Sequence, residues 1–186
     1  MNDLKQPMSK KLLLMGLDNS GKTTILLSLK DNTNLLSYFS LKPTRGLSIE
    51  SLEGNDYELS IWDCGGQEMY REEYINNFYK YTEDLDRLIF VIDVQAMDRY
   101  DLALSYLQNI IDLLQRDNLF VDVSVFLHKY DPNLEDQAGF DNIHEKVQTA
   151  LIARVSEMIP LEFGFELHKT SVYTVFEQNL IKKREN

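Results

Sequence analysis

The sequence predicts an α/β fold: a mostly parallel central sheet with helices on both faces. Three observations predict it. Short apolar runs at residues 11–15, 88–92 and 121–127 are nearly continuous, as expected of strands covered on both sides. Amphipathic stretches lie between or after them, with Ala103, Leu107, Ile110 and Leu114 on one stripe and Ile143, Val147, Ala150/Leu151 and Val155/Met158 on another. Finally, residues able to do chemistry cluster just after the runs, where ligands bind in such sheets, beyond the carboxyl ends of the strands. No repeat or Pro/Gly-rich linker divides the chain. Its 186 residues, 44% hydrophobic, read as a single domain over 1–186, with 1–10 and 183–186 expected as flexible ends.

The first run feeds Gly16-Leu17-Asp18-Asn19-Ser20-Gly21-Lys22-Thr23, a GxxxxGK[ST] pattern that opens a helix. In this setting the loop backbone wraps phosphate oxygens, and glycine permits conformations in which a side chain would clash. Asp18, Asn19, Ser20, Gly21, Lys22, Thr23 and Thr24 are the candidate phosphate contacts. Lys22 is expected to neutralise the β/γ-phosphates, and the Thr23 hydroxyl to ligate Mg²⁺. In Pro43-Thr44-Arg45-Gly46, Thr44 can offer its hydroxyl to Mg²⁺ and its N–H to a γ-phosphate; Ser40 and Ser48 are rival donors. Arg45 is read as solvated or partner-facing, with a cationic finger supplied in cis as the alternative.

Tyr57, Leu59 and Ile61 alternate with polar residues, as in a strand near the sheet edge, and lead into Trp62-Asp63-Cys64-Gly65-Gly66-Gln67. A strand ending in aspartate suits a metal-side carboxylate, so Asp63 is the third Mg²⁺ candidate after Thr23 and Thr44. Gly66 can bring its N–H close to a γ-phosphate. Gln67 can donate and accept at once, which suits it to orienting an attacking water and makes it the candidate catalytic residue. Cys64 reads as a small apolar residue. Tyr70, Tyr74, Phe78, Tyr79 and Tyr81 divide between core and an exposed partner surface.

After the run 121–127 comes His128-Lys129-Tyr130-Asp131. Asp131 can accept hydrogen bonds from the ring N–H and exocyclic amine of guanine, a donor pair that adenine does not present. The Lys129 stem can cover the base and ribose. His128 stands where asparagine is the common residue; as a neutral imidazole it can tie loops together and meet the purine N7. Thr170-Ser171-Val172, before an expected short helix, places Ser171 and Val172 where a backbone N–H meets the guanine oxygen. The three histidines, His128, His144 and His168, show no zinc-ligand spacing.

Composition narrows the setting. A formal charge of -11 argues against nucleic-acid or anionic-membrane binding. The lone Cys64 cannot make an internal disulfide, no apolar run is long enough to span a bilayer, and no signal peptide is visible, so the expectation is cytoplasmic. Asn2 and the Lys182–Asn186 end give the expectation of no lipid anchor, leaving peripheral membrane association to a partner.

These motifs, in this order, resemble the small GTPase superfamily of P-loop NTPases over roughly residues 11–182. Gly-Leu-Asp-Asn-Ser-Gly-Lys-Thr at 16–23, Pro43-Thr44-x-Gly46 and Trp62-Asp63-x-Gly65-Gly66-Gln67 are similar to Arf-like GTPases. Trp62-Asp63-Cys64-Gly65-Gly66-Gln67, His128-Lys129-x-Asp131 and Thr170-Ser171-Val172-Tyr173 are similar to the Rag/Gtr group. With Asn2 in place of a myristoyl-accepting glycine the expectation departs from the first group, and with no roadblock-type domain expected it departs from the second. The resemblance implies a G-domain fold and a GTP/GDP switch with Mg²⁺. It further implies slow hydrolysis, roughly 10⁻⁴–10⁻² per second, and partners in a GAP, an exchange factor, effectors and a roadblock or longin-type protein. An adenine-nucleotide ATPase and a non-hydrolysing scaffold are the alternatives.

Overall fold

The structure, a computed structural model, describes residues 8–30, 37–38, 40–53 and 57–173. In chain order it runs β1 (Met8–Gly16), α1 (Lys22–Ser28), β2 (Leu47–Glu53), β3 (Tyr57–Cys64), α2 (Glu68–Asn76), α3 (Phe78–Thr82) and β4 (Arg87–Asp93). Then come α4 (Tyr100–Arg116), β5 (Asp122–His128), α5 (Ile143–Val147), a π-helical turn (Gln148–Ile152), α6 (Ala153–Met158) and β6 (Phe165–Lys169). The strands form a sheet in the order β2-β3-β1-β4-β5-β6. Only the β2–β3 pair is antiparallel.

Alternation along the strands explains how both faces are covered. On β1, Leu13 and Met15 enter the main core, while Leu14 points to the opposite face with Leu26 of α1, Ile61 and Val91. On β4, Leu88, Phe90 and Ile92 join the main core, and Val91 joins the smaller one. The main core also takes the stripes read from the sequence. Leu107, Ile110 and Leu114 of α4 are fully buried, and so are Ile143, Val147, Leu151 and Val155. Each such side chain contributes about 1.5–3 kcal/mol by leaving water. Among the described residues no helix is long and apolar enough to cross a membrane.

Two expectations are corrected. Met8, Ser9 and Lys10, expected in a flexible N-terminus, begin β1 and pair with Tyr57, Glu58 and Leu59 of β3. The backbone ladder recruits them although their side chains carry no apolar pattern. The sequence reading also had no strand at Leu47–Glu53. β2 takes the sheet edge and leaves β3 one strand inside it. An edge strand needs to bury little, and Ser48, Glu50, Ser51 and Glu53 give it no apolar run to recognise. The segment 1–7, the short helix expected after Val172 and the end 183–186 lie outside the described residues.

The strand directions assemble the site. β1 ends at Gly16, β3 at Cys64, β4 at Asp93, β5 at His128 and β6 at Lys169, all at one edge of the sheet. Because β2 runs the other way, Leu47 pairs with Cys64, and the preceding residues 40–46 arrive at the same edge.

Candidate functional site

The loop between β1 and α1 encloses one side of a cavity of about 280 Å³. Residues 18–24 line it, with Leu41, Lys42, Pro43, Thr44, Gly65, Gly66 and Gln67 opposite. Gly21, at φ 93, makes the turn into α1, and the first-turn amides of that helix have no helical carbonyl to reach. Lys22 is 5% exposed. Its Nζ donates to the carbonyls of Leu17 at 2.7 Å and Gly16 at 3.1 Å. Burial pushes its ammonium down to about 8, against the upward pull of the Asp63 carboxylate. A cation held this dry favours an anion beside it.

Across the cavity three oxygens converge. Thr23 Oγ1 donates to Asp63 Oδ2 at 2.8 Å, Thr44 Oγ1 donates to the same oxygen at 3.0 Å, and the two hydroxyls are 2.8 Å apart. Asp63 is wholly buried, and its other oxygen, Oδ1, has no hydrogen-bond partner among the described residues. Burial raises its pKa, opposed by the hydrogen bond from Thr23 and the charge of Lys22. An orphaned, buried carboxylate oxygen beside two hydroxyls is a hard oxygen donor set that fits Mg²⁺. Of the rival donors, Ser40 is turned to the Ser37 carbonyl, and Ser48 sits within β2. Ser48 pairs with Asp63 through the backbone ladder, whereas the Thr44 hydroxyl bonds its carboxylate.

The two loops flanking the cavity are fastened to each other and to the phosphate-loop backbone. Gly65 N–H donates to the Gly46 carbonyl at 2.9 Å, and Asp18 N–H to the Gly66 carbonyl at 3.1 Å. A Cβ at Gly66 would stand 2.2 Å from the backbone of Leu17 and Asp18, so no other residue could approach this closely. Gln67, half-buried, begins α2 and faces both the cavity and a second hollow formed with Lys42, Pro43 and Arg45. Arg45 is exposed. Behind them Cys64 is buried with its thiol pushed far up by desolvation, which leaves it unreactive. Of the nearby aromatics Tyr74, Phe78 and Tyr81 are core, whereas Tyr79 is 67% exposed.

The ends of β4, β5 and β6 form the other half. His128 is 2% exposed, with Nδ1 at 2.9 Å from Thr170 Oγ1 and its Nε2 edge against Gly21. It therefore ties β6 to the phosphate loop. Burial, with the Lys129 charge beside it, holds its pKa below the usual histidine range. Lys129 (φ 59) reaches Asp93 at 2.7 Å. Asp131 accepts hydrogen bonds from Ser171 Oγ and, at 2.8 Å, from Gln95 Nε2. Val172 follows in the same half-buried turn.

A model of the ADP-ribosylation factor family matches residues 1–173. The chain belongs to the ADP-ribosylation factor family. ADP-ribosylation factor-like protein 3 of Caenorhabditis elegans is 33% identical over 155 residues, which cover 82% of this chain and 78% of that protein. Its namesake in Chlamydomonas reinhardtii is 37% identical, with 65% and 63% covered. ADP-ribosylation factor-like protein 2 of Drosophila melanogaster is 40% identical, with 59% and 53% covered. The matches thus span 53% to 78% of these relatives' lengths. Among solved structures, the Arl6 BBS3 small GTPase of Trypanosoma brucei, determined with the nucleotide analogue GppNp, shares the fold. Its TM-score is 0.63 at 23% identity, with 88% of this chain and 87% of that one covered.

Within this small-GTPase frame, two residues escaped the sequence reading. Arg99, on the 3-10 turn before α4, grips Asp18 through the side chain at 2.5 Å and the carbonyl at 3.0 Å, which balances an acid at the mouth of the cavity. Gln95 holds the Lys129–Asp131 turn. Neither lies in a motif, and each reaches its partner across a long stretch of chain.

Proposed function

We propose that this chain is a guanine-nucleotide switch that binds GTP and GDP with Mg²⁺ and hydrolyses GTP slowly. The observation that carries the reading is the meeting of Lys22, Thr23 and Thr44 around one cavity, with the buried Asp63 carboxylate hydrogen-bonded to both threonines. Lys22 would exchange carbonyl partners for β- and γ-phosphate oxygens, returning its ammonium to an anionic neighbour. Thr23, Thr44 and Asp63 would hold Mg²⁺, which supplies charge neutralisation on those oxygens when bound. Gln67 would orient the attacking water by donating and accepting together, its amide being too weak a base to take the proton. Asp131 would read the guanine N–H and amine, with Lys129 along the base, Ser171 and Val172 at its oxygen side and His128 behind the loops.

The switch follows from how residues 40–46 are held at the site, through Thr44 and through the backbone bond from Gly65 to Gly46. Thr44 is tied to the site by two hydroxyl contacts, so loss of a γ-phosphate from beside it removes much of its reason to stay. The surface made by Lys42, Arg45, Met69 and Tyr79 would then change for a GAP, an exchange factor or an effector. A roadblock or longin-type partner rests on the Rag-like residues at 128–131 and 170–173. A cytoplasmic setting goes with this reading.

Nucleotide-free protein titrated with GDP, GTP, ADP and ATP in Mg²⁺ tests it. Guanine preferred by about a hundredfold, near 2.7 kcal/mol, is expected. Equal binding of adenine nucleotides would remove Asp131 as reader.

A further inference from the structure

We propose that Gln95 is a specificity-determining positioning residue: it fixes the Asp131 carboxylate in the orientation that reads the guanine amine. The inference rests on Asp131 reading guanine, as argued above. The side-chain amide of Gln95 carries two N–H donors, and the structure uses both on one turn. One reaches the Lys129 carbonyl at 2.8 Å and the other reaches Asp131 Oδ2 at 2.8 Å. Both neighbours are acceptors only, so the nitrogen, and not the amide oxygen, faces them. Gln95 is itself anchored, because its backbone N–H donates to Asp93 Oδ1 at 2.9 Å while the other oxygen of Asp93 holds Lys129. The result is a closed circuit, Asp93 to Gln95 to Asp131, with Asp93 also gripping Lys129.

Counting lone pairs shows what the circuit does. An ionised carboxylate offers about four acceptor positions. Ser171 Oγ occupies one on Oδ1 and Gln95 Nε2 occupies one on Oδ2. One position per oxygen is left, which is the number a base with adjacent ring N–H and amine donors needs. Without Gln95 the Oδ2 side is unrestrained, and the carboxylate can rotate on its stem and lose the two-point match. Lys129 also loses support at its left-handed backbone position, but that change affects all nucleotides alike. The signature of positioning is therefore a change in discrimination between bases, beyond any general loss of affinity.

The discriminating pair is GDP and IDP, which differ only in the exocyclic amine. Their dissociation constants would be measured in Mg²⁺ for the full chain and for Gln95→Met, which keeps the length and removes the donors. Gln95→Glu, which sets a second carboxylate against Asp131, and Asp131→Asn complete the set. The expected result is a GDP-over-IDP ratio reduced about fivefold by Gln95→Met and further by Gln95→Glu, with Asp131→Asn abolishing it. ADP affinity, measured in parallel, reports any general damage to the phosphate site, and thermal melting reports folding. If Asp131→Asn abolishes the ratio while Gln95→Met and Gln95→Glu leave it unchanged, Gln95 has no positioning role and the reading of Asp131 stands. If Asp131→Asn leaves the ratio intact, both fall together.

Discussion

The two halves of the site are built on different principles. On the phosphate side, from β1, β2 and β3, the surface is mostly backbone and hydroxyl, with Lys22 buried and the Asp63 Oδ1 oxygen without a partner among the described residues. On the base side, from β4, β5 and β6, the acids and amides are already satisfied by one another: Asp93 by Lys129 and Gln95, Asp131 by Gln95 and Ser171. On the function proposed above, the first half takes a polyanion and a cation, and the second is a template for a base of matching donors. That reading separates affinity from selectivity, since contacts to phosphate cannot distinguish purines.

Lys22→Ala breaks the phosphate half and gives the largest effect. Its removal is expected to weaken binding of every nucleoside diphosphate by about a hundredfold or more, roughly 3 kcal/mol. The loss should be equal for GDP and IDP, because the base template is untouched. Calorimetry on both ligands checks this, and a change in their ratio would mean that the halves are coupled. Gln67→Leu sharpens the same half by separating binding from chemistry. Single-turnover GTP hydrolysis should slow about ten- to hundredfold, 1.4–2.7 kcal/mol on the barrier. GTP affinity should stay within about twofold, as expected of a group that acts on water. An unchanged rate would end the water-orienting role of Gln67.

The same division explains what could be read from the sequence. The phosphate half was legible because its chemistry is local: Gly16 to Thr23 is one loop, and Asp63 to Gln67 follow one strand. Thr44 was separable from Ser40 and Ser48 only through its proline and glycine neighbours, and the 2.8 and 3.0 Å contacts with Thr23 and Asp63 place it. Asp131 was legible from its position after an apolar run. Its support was not, because Gln95 meets it from 36 residues away, and Arg99 meets Asp18 from 81. Nothing in a local pattern marks such pairs. β2 was missed for a related reason: an edge strand is held by the ladder to β3, and its apolar alternation at Leu47 and Ile49 breaks at Ser51.

His128 lies on the seam between the halves, and its effect is the smallest and the most specific. Its imidazole bonds Thr170 on the base side and fills the space beside Gly21 on the phosphate side, where a Cβ would stand 2.3 Å from its ring. Burial and the adjacent Lys129 charge favour the neutral ring, while Asp93 and Asp131 pull weakly the other way. The folded pKa is therefore below the unfolded value of about 6.5, and the folded state binds fewer protons than the unfolded chain. Stability from this group is complete above about pH 6.5 and is lost as pH falls from there through the folded pKa. Nucleotide-free protein should lose stability from this source as the pH is lowered from roughly 7.5 to 5.5. His128→Asn supplies an uncharged side chain at both pH values and should flatten that part of the curve. Melting curves of the two proteins that stay parallel across the range would show that the seam does not discriminate against the proton, and that protonated His128 finds room between Gly21 and Thr170.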